Sequence, residues 1–290
     1  MSDHAEEYTR SGCEKRSLDV RCLIPALDQG GWRASLRTTL NGLFGVSKVY
    51  QLFERAVLSG DPKTKHAHDN IFLAVLRKNE MTMDYANFAQ QLPQEGPCIV
   101  VANHAFGGAD ALALSGICVQ LRSDTRILAN AMTAELPGIS EWTIPLQILG
   151  EDGATHTNRL AMKKAMEVLC SGGLLVVFPA GAVSRWQAEL GRVADPKWSD
   201  HVARLAVNSS ATVIPVRFFG RNPAWFELLG RIHPVLYSAL ILRVFLAARA
   251  QRIKFRAGNR IETDNLRKLE SVQDITFALR QAVESIEEDQ

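Results

Sequence analysis

An imidazole with a carboxylate against one ring nitrogen has its tautomer fixed, which leaves the other nitrogen free to take a proton from an attacking hydroxyl. His104 and Asp110 have the spacing for such a pair, with only Ala105 to Ala109 between them. The run Val100-Val101-Ala102 reads as a buried strand that delivers His104 to its carboxyl end. Gly107-Gly108 lets the backbone turn tightly, and Asp110 falls at the start of the next helix. Two plainer readings stand beside this one: Asp110 as a helix N-cap and His104 as a loop-packing residue. Asp110 can be cap and partner together, in which case Asn at 110 would keep the cap and lose the charge.

Two further strand ends carry polar groups. Leu174-Leu175-Val176-Val177-Phe178 runs into a Pro179-Ala180-Gly181-Ala182-Val183-Ser184-Arg185 turn. Backbone N–H groups after Gly181, together with Ser184 and Arg185, are placed to receive an anion or a carbonyl oxygen; the alternative is a plain strand-to-helix turn. Val213-Ile214-Pro215-Val216-Arg217-Phe218 reads as a strand that Pro215 demotes to an edge or a strand end. Arg217 and Arg221 beyond it face either a phosphate or solvent.

These residues need a scaffold. Short β-branched runs at Cys98–Ala102, Arg126–Leu128, Ile144–Leu149, Leu174–Phe178, Thr212–Phe218 and Arg252–Arg256 read as buried strands. Helical patterns at Asp110–Leu121, Asn158–Cys170, Ser199–Asn208, Trp225–Ala250 and Leu266–Ile286 alternate with them, and Trp32–Leu58 and Asn70–Leu76 precede them. Alternation of this kind predicts an α/β fold with a mostly parallel sheet flanked by helices, in which chemistry collects where strands end. Residues 1–91 read as a largely helical N-terminal extension, and residues 92–290 as the α/β domain with a C-terminal helix.

The 33 basic and 31 acidic side chains give a net charge of +2, so the total carries no polyanion signal. Their distribution does. Residues 217–260 hold nine basic groups against Glu227 alone, a local +8, and residues 262–290 hold eight acidic against three basic, a local −5. A basic block suggests an anionic lipid or nucleic-acid partner, or else a solvated helix face. Because it coincides with aliphatic residues and not with exposed aromatics for base stacking, lipid fits better, and no nucleic-acid partner is expected. Cys13, Cys22, Cys98, Cys118 and Cys170 have no metal-ligand spacing and read as reduced thiols. His66-Ala67-His68-Asp69 reads as a polar helix start and not as a metal pair. A polar N-terminus without an apolar run, and no uninterrupted apolar stretch near the ~20 residues of a membrane span, point to a cytoplasmic protein. The Trp225–Arg256 segment, apolar with basic flanks, reads as an interfacial helix at the inner face of the cell membrane, or as a helix packed on the sheet.

Asn103-His104-x-x-Gly107-Gly108-x-Asp110, then Phe178-Pro179-Ala180-Gly181 with Val183-Ser184, then Ile214-Pro215-Val216, resembles the glycerolipid and lysophospholipid acyltransferase superfamily. The likeness is nearest to its bacterial putative-hemolysin branch, which includes lyso-ornithine-lipid acyltransferases. Arg192 to Ser199, Gly220-Arg221-Asn222 and Leu229 to Pro234 are also similar to that branch, and the resemblance spans roughly residues 92–262. Two departures stand out. The wider superfamily has four residues between His and Asp where this chain has five. The branch carries Glu where this chain has Ala182, and the superfamily carries Glu where it has Ala180.

The resemblance implies transfer of a fatty acyl group from a thioester to the hydroxyl of a lysolipid, with acyl-CoA or acyl carrier protein as donor and no further cofactor or metal. His104 and Asp110 become the catalytic pair. Asn103, Gly107, Gly108, Phe178, Pro179, Gly181, Ser184, Arg185 and Arg221 become substrate-binding residues, as does Arg159, which lies with His156 near where the superfamily's second motif falls. No Gly-x-Ser-x-Gly nucleophile elbow is present, which argues against a hydrolase. A catalytically inactive lipid-binding or assembly protein on the same fold is the alternative, and Ala182 is the residue that keeps it open.

Overall fold

The computed structural model describes residues 39, 41–58, 70–147, 154–227 and 234–288, without the side chains of 154, 155 and 234–239. The polar N-terminus, Cys13, Cys22, the His66–Asp69 cluster and most of the Leu229–Pro234 run lie outside the described residues.

Seven strands form one sheet: β1 (Thr82–Met83), β2 (Cys98–Ala102), β3 (Thr125–Asn130), β4 (Thr143–Leu146), β5 (Leu174–Val177), β8 (Thr212–Phe219) and β9 (Arg252–Ala257), in the order β1-β9-β8-β2-β5-β3-β4. All neighbours are parallel except β8 and β9. The strands β6 (Arg185–Gln187) and β7 (Arg192–Ala194) make a separate antiparallel hairpin. The fold is therefore the expected α/β class with a mostly parallel sheet.

The central strands are buried on both faces, which is why they read as continuous apolar runs and not as alternating ones. One face, with Val100, Val176 and Ile214, packs on α1 (Val46–Leu58), α2 (Ile71–Lys78), α3 (Ala86–Gln91), α4 (Gly108–Leu121) and α7 (Pro234–Ala247). The other, with Ile99, Val101 and Leu175, packs on α5 (Ala154–Cys170), α6 (His201–Ser209) and α9 (Val272–Glu284), which follows the short α8 (Thr263–Leu266). Residues upstream of 92 share the first core: Val49, Phe53 and Phe72 join it, and β1 extends the sheet beside β9.

Pro215 is not at an edge, contrary to expectation. It lies in β8, between β2 and β9, opposite Val101. Val216 pairs with Ala257, but Val213 bridges Ile261, so the β9 side carries one extra residue at this point. That bulge removes the need for an N–H from residue 215, while the Pro215 carbonyl still accepts from Gly258 at 2.8 Å.

The expected helix from Leu266 to Ile286 is two helices. Ser271 caps the second by accepting from the Asp274 N–H at 3.1 Å, a Ser-x-x-Asp stop-and-start that periodicity alone hides. In place of one helix from Trp225 to Ala250 there is a helical turn at 224–227 and then α7, with 228–233 outside the described residues. The described part of α7 faces inward: Val244 and Phe245 are buried, and Ile241, Leu242 and Leu246 pack on the core. From residue 241 onward these apolar side chains pack on the protein core. Among the described residues no helix is long and apolar enough to cross a membrane.

Candidate active site

The site forms where β2, β5 and β8 end. Asn103 anchors the exit of β2 to β8: its Oδ1 accepts from the Phe218 N–H at 2.7 Å and its Nδ2 donates to the Phe218 carbonyl at 3.1 Å. This side chain extends the sheet by one rung. Expected at the substrate, it has both amide groups turned to the main chain of β8.

His104 follows, gripped by its backbone. Its N–H donates to Asp195 Oδ1 at 3.1 Å and its carbonyl accepts from the Ser184 N–H at 2.7 Å. The Ser184 hydroxyl donates to the same Asp195 oxygen at 2.5 Å, and Trp198 Nε1 donates to the other at 2.9 Å. Asp195 thus joins three segments. Ser184 spends both its N–H and its hydroxyl on this joint, so its expected contact with substrate gives way to a structural one. Burial pushes the Asp195 carboxyl pKa up, partly offset by the Ser184, His104 and Trp198 donors. Its role went unread in the sequence because it sits in an irregular stretch 91 residues from His104. The available signal was the i, i+3 pair Asp195 and Trp198.

After His104 the chain makes its tight turn. Gly107 has φ +84°, and a Cβ there would lie 2.9 Å from Ile241 and Val183 atoms. Gly108 is likewise backed by the Phe245 ring, at 3.2 Å from a built Cβ. Both glycines thus admit the close approach of α7, in contrast to the expectation that they bind substrate. Gly107 is the N-cap of α4, and Asp110 is its third residue, so Asp110 is not the cap. Its carboxylate reaches back over the helix start, Oδ2 accepting from the Phe106 N–H and Oδ1 from the Ala111 N–H, each at 2.8 Å.

His104 Nδ1 lies 3.2 Å from Asp110 Oδ1. Nδ1 is buried and its approach is not aligned for a hydrogen bond, so at rest the two groups are in close contact without one. Pairs of this kind commonly tighten only when substrate arrives. The Phe178 ring covers one face of the imidazole, centroids 4.4 Å apart. The His104 side chain keeps 17% of its surface open; with Nδ1 buried, the edge carrying Nε2 is the accessible one. Burial alone would depress the imidazole pKa, but the charge and proximity of Asp110, with Asp195 behind, carry it above the ordinary value. The arrangement is that of a general base: one nitrogen turned to a carboxylate, the other open.

The second motif forms the facing turn. Gly181 has φ +63° and donates its N–H to the Phe178 carbonyl, and Pro179 accepts from the Ser199 N–H. The N–H groups of Ala182 and Val183 have no hydrogen-bond partner among the described residues. They are the turn's remaining candidates to receive an oxyanion. Arg185 opens β6, half-buried. Arg221 is exposed and lines, with Asn103, Asp195, Arg192 and Arg217, a cavity of about 470 Å³ behind the catalytic loop. Arg217 is not free for a phosphate there: its Nη1 donates to the Glu284 and Ile286 carbonyls. Arg159 is exposed near the start of α5, and no contact among the described residues joins it to His104 or Asp110. Among the described residues no group of His, Cys, Asp and Glu could hold a metal.

Residues 86–218 match the family model for acyltransferases. A lyso-glycine lipid O-acyltransferase of Phocaeicola vulgatus is 28% identical over 200 residues, 64% of this chain and 69% of that one. One of Bacteroides thetaiotaomicron, with the same name, is 26% identical over 201 residues, 64% and 71%. The solved 1-acyl-sn-glycerophosphate acyltransferase of Thermotoga maritima aligns over 85% of this chain and 94% of its own, with 17% identity and a TM-score of 0.41. The family match and the two curated relatives agree, and they make the chain similar to the acyltransferases of the glycerolipid superfamily.

Proposed function

We propose that this acyltransferase moves a fatty acyl group from a thioester, acyl-CoA or acyl carrier protein, to the hydroxyl of a lysolipid. The observation that carries the reading is the His104–Asp110 contact of 3.2 Å, with the opposite edge of the imidazole accessible. Nε2 takes the proton of the acceptor hydroxyl as its oxygen attacks the thioester carbonyl. Asp110 holds the ring and offsets its developing charge. The tetrahedral oxyanion meets the N–H groups of Ala182 and Val183, and collapse expels the thiolate, which takes the proton from His104 to leave as the free thiol. No acyl-enzyme is required. The names of the two relatives support a lysolipid acceptor.

The reaction belongs at an anionic membrane surface on the cytoplasmic side, where such acceptors reside. The basic block supports this less strongly than its formal charge suggests. Arg249 is ion-paired with Glu80 and Lys254 with Glu288, while Arg243 and Arg260 donate to the main chain at Leu43 and Gln91. Arg221 and Arg252 remain exposed for lipid phosphates. The test is expression in a bacterial host, with lipid extracts compared by mass spectrometry against a His104→Ala control. A diacylated product present with the wild type and absent from the control is the expected result. Identical extracts would refute the reading.

A further inference from the structure

Glu227 closes the helical turn at 224–227 and is 6% exposed. Its Oε1 is buried without a hydrogen-bond partner among the described residues. A carboxylate oxygen kept dry and unpaired is costly, and folded proteins retain one mainly where something else comes to meet it. Its segment adjoins the catalytic loop through the residues before it. Asn222, five residues earlier, donates to the Ala105 carbonyl at 3.2 Å, and Gly220 abuts the Phe106 ring. Phe226 packs with Val183 and Ile241, the two side chains that press on Gly107. Residues 220–227 therefore wrap the loop that carries His104, on the side where the Gly181–Ser184 turn has Ala182 and no carboxylate. Burial raises the Glu227 pKa, and only Arg221 opposes the shift.

We propose that Glu227 is a specificity residue that accepts hydrogen bonds from N–H or O–H groups on the polar head of the acceptor lipid, supplying the carboxylate that position 182 lacks. The inference rests on the lysolipid-acyltransferase reading above. A head with hydrogen-bond donors satisfies Oε1, whereas the same head with its donors methylated leaves the oxygen unpaired beside a bound substrate.

The experiment uses the full-length protein, one thioester donor, and a panel of lysolipids, each with its N- or O-methylated counterpart. The wild type should favour the donor-bearing member of at least one pair by about tenfold or more in kcat/KM. Glu227→Met, which keeps the length of the side chain and removes the acceptor, should bring that ratio near unity through the acceptor KM, leaving the thioester KM unchanged. A ratio kept intact in Glu227→Met, or equal losses with both members of the pair, would overturn the assignment. If Glu227→Met fails to fold, the wild-type ratios decide, and no preference in any pair overturns it. Acylation of no lysolipid at all would instead overturn the acyl-transfer reading and this inference with it.

Discussion

Two buried aspartates hold His104, and they hold different parts of it. Asp110, fully buried, faces the imidazole; Asp195, 5% exposed, binds the main-chain N–H of the same residue. Asp110 sits two residues inside α4, so its position is set by the helix that begins on Gly107. Asp195 sits in an irregular stretch and is placed by what it binds, Ser184 and Trp198. One carboxylate faces the group that would change charge in the reaction. The other fixes where that group stands. A catalytic loop needs both services, and here they come from separate elements, so they can be removed separately.

The sharpest division comes from removing the imidazole. His104→Ala should lower acyl transfer by about 10²–10⁴-fold, because a positioned general base contributes about that much. Both aspartates keep their main-chain partners, so the thermal melt should move little. Thioester consumption beside a melting curve reads both, and near-normal turnover would end the base assignment.

Asp110→Asn comes next, and the structure changes what it can show. Asn was expected to keep the cap and lose only charge, yet both Asp110 oxygens accept main-chain N–H groups. An amide NH₂ must face Phe106 or Ala111, donor against donor. The variant should lose activity about 10²-fold or more and also stability, by about 1–3 kcal/mol. A melt identical to the wild type would show that the carboxylate does not bear on the helix start.

Asp195→Asn should reverse the balance. Its NH₂ would meet either Trp198 or the His104–Ser184 pair, costing about 1–3 kcal/mol by calorimetry. Residual activity per folded molecule should exceed that of Asp110→Asn. The opposite ranking would put the chemistry on the wrong aspartate.

The smallest effect is in pH. The His104 pKa is raised above 6.5, and the base must be neutral, so kcat/KM should climb with pH through a midpoint above 6.5. In Asp110→Asn, without the charge that raises it, the midpoint should fall. The linked stability has the other sense: the contribution of His104 is complete below 6.5 and is lost as pH rises through the raised value. A midpoint unmoved by Asp110→Asn would disconnect the pair.

The Asp110 half of this contrast was legible in the sequence and the Asp195 half was not, for a physical reason. A strand end, a glycine pair and a helix start confine His104 and Asp110 to one loop, so short spacing carries the information. The strands were legible for a similar reason: β2, β5 and β8 are covered on both faces and read as unbroken β-branched runs. Asp195 and Asn222 act through contacts that no period or spacing encodes. Pro215 misled because a bulge on a neighbouring strand is invisible from the residue it accommodates. The glycines were legible as necessary, but not why. Ile241 and Phe245, more than a hundred residues away, are what leave them no room for a side chain.

Arg280 of α9 donates to the carbonyls of Asp195 and Pro196, at 3.0 and 3.2 Å, and Arg217 ties the end of the same helix to β8. In the order of synthesis, Asp195 emerges 91 residues after His104, and Arg280 a further 85 residues after Asp195. A growing chain on the ribosome therefore holds the His104–Asp195 joint for that stretch without this brace. At the about 5–20 residues per second of translation, that is an interval of about 4–17 seconds. Acyl transfer should then begin only once α9 has docked, and a chain that has not yet reached α9 would not act on lipid.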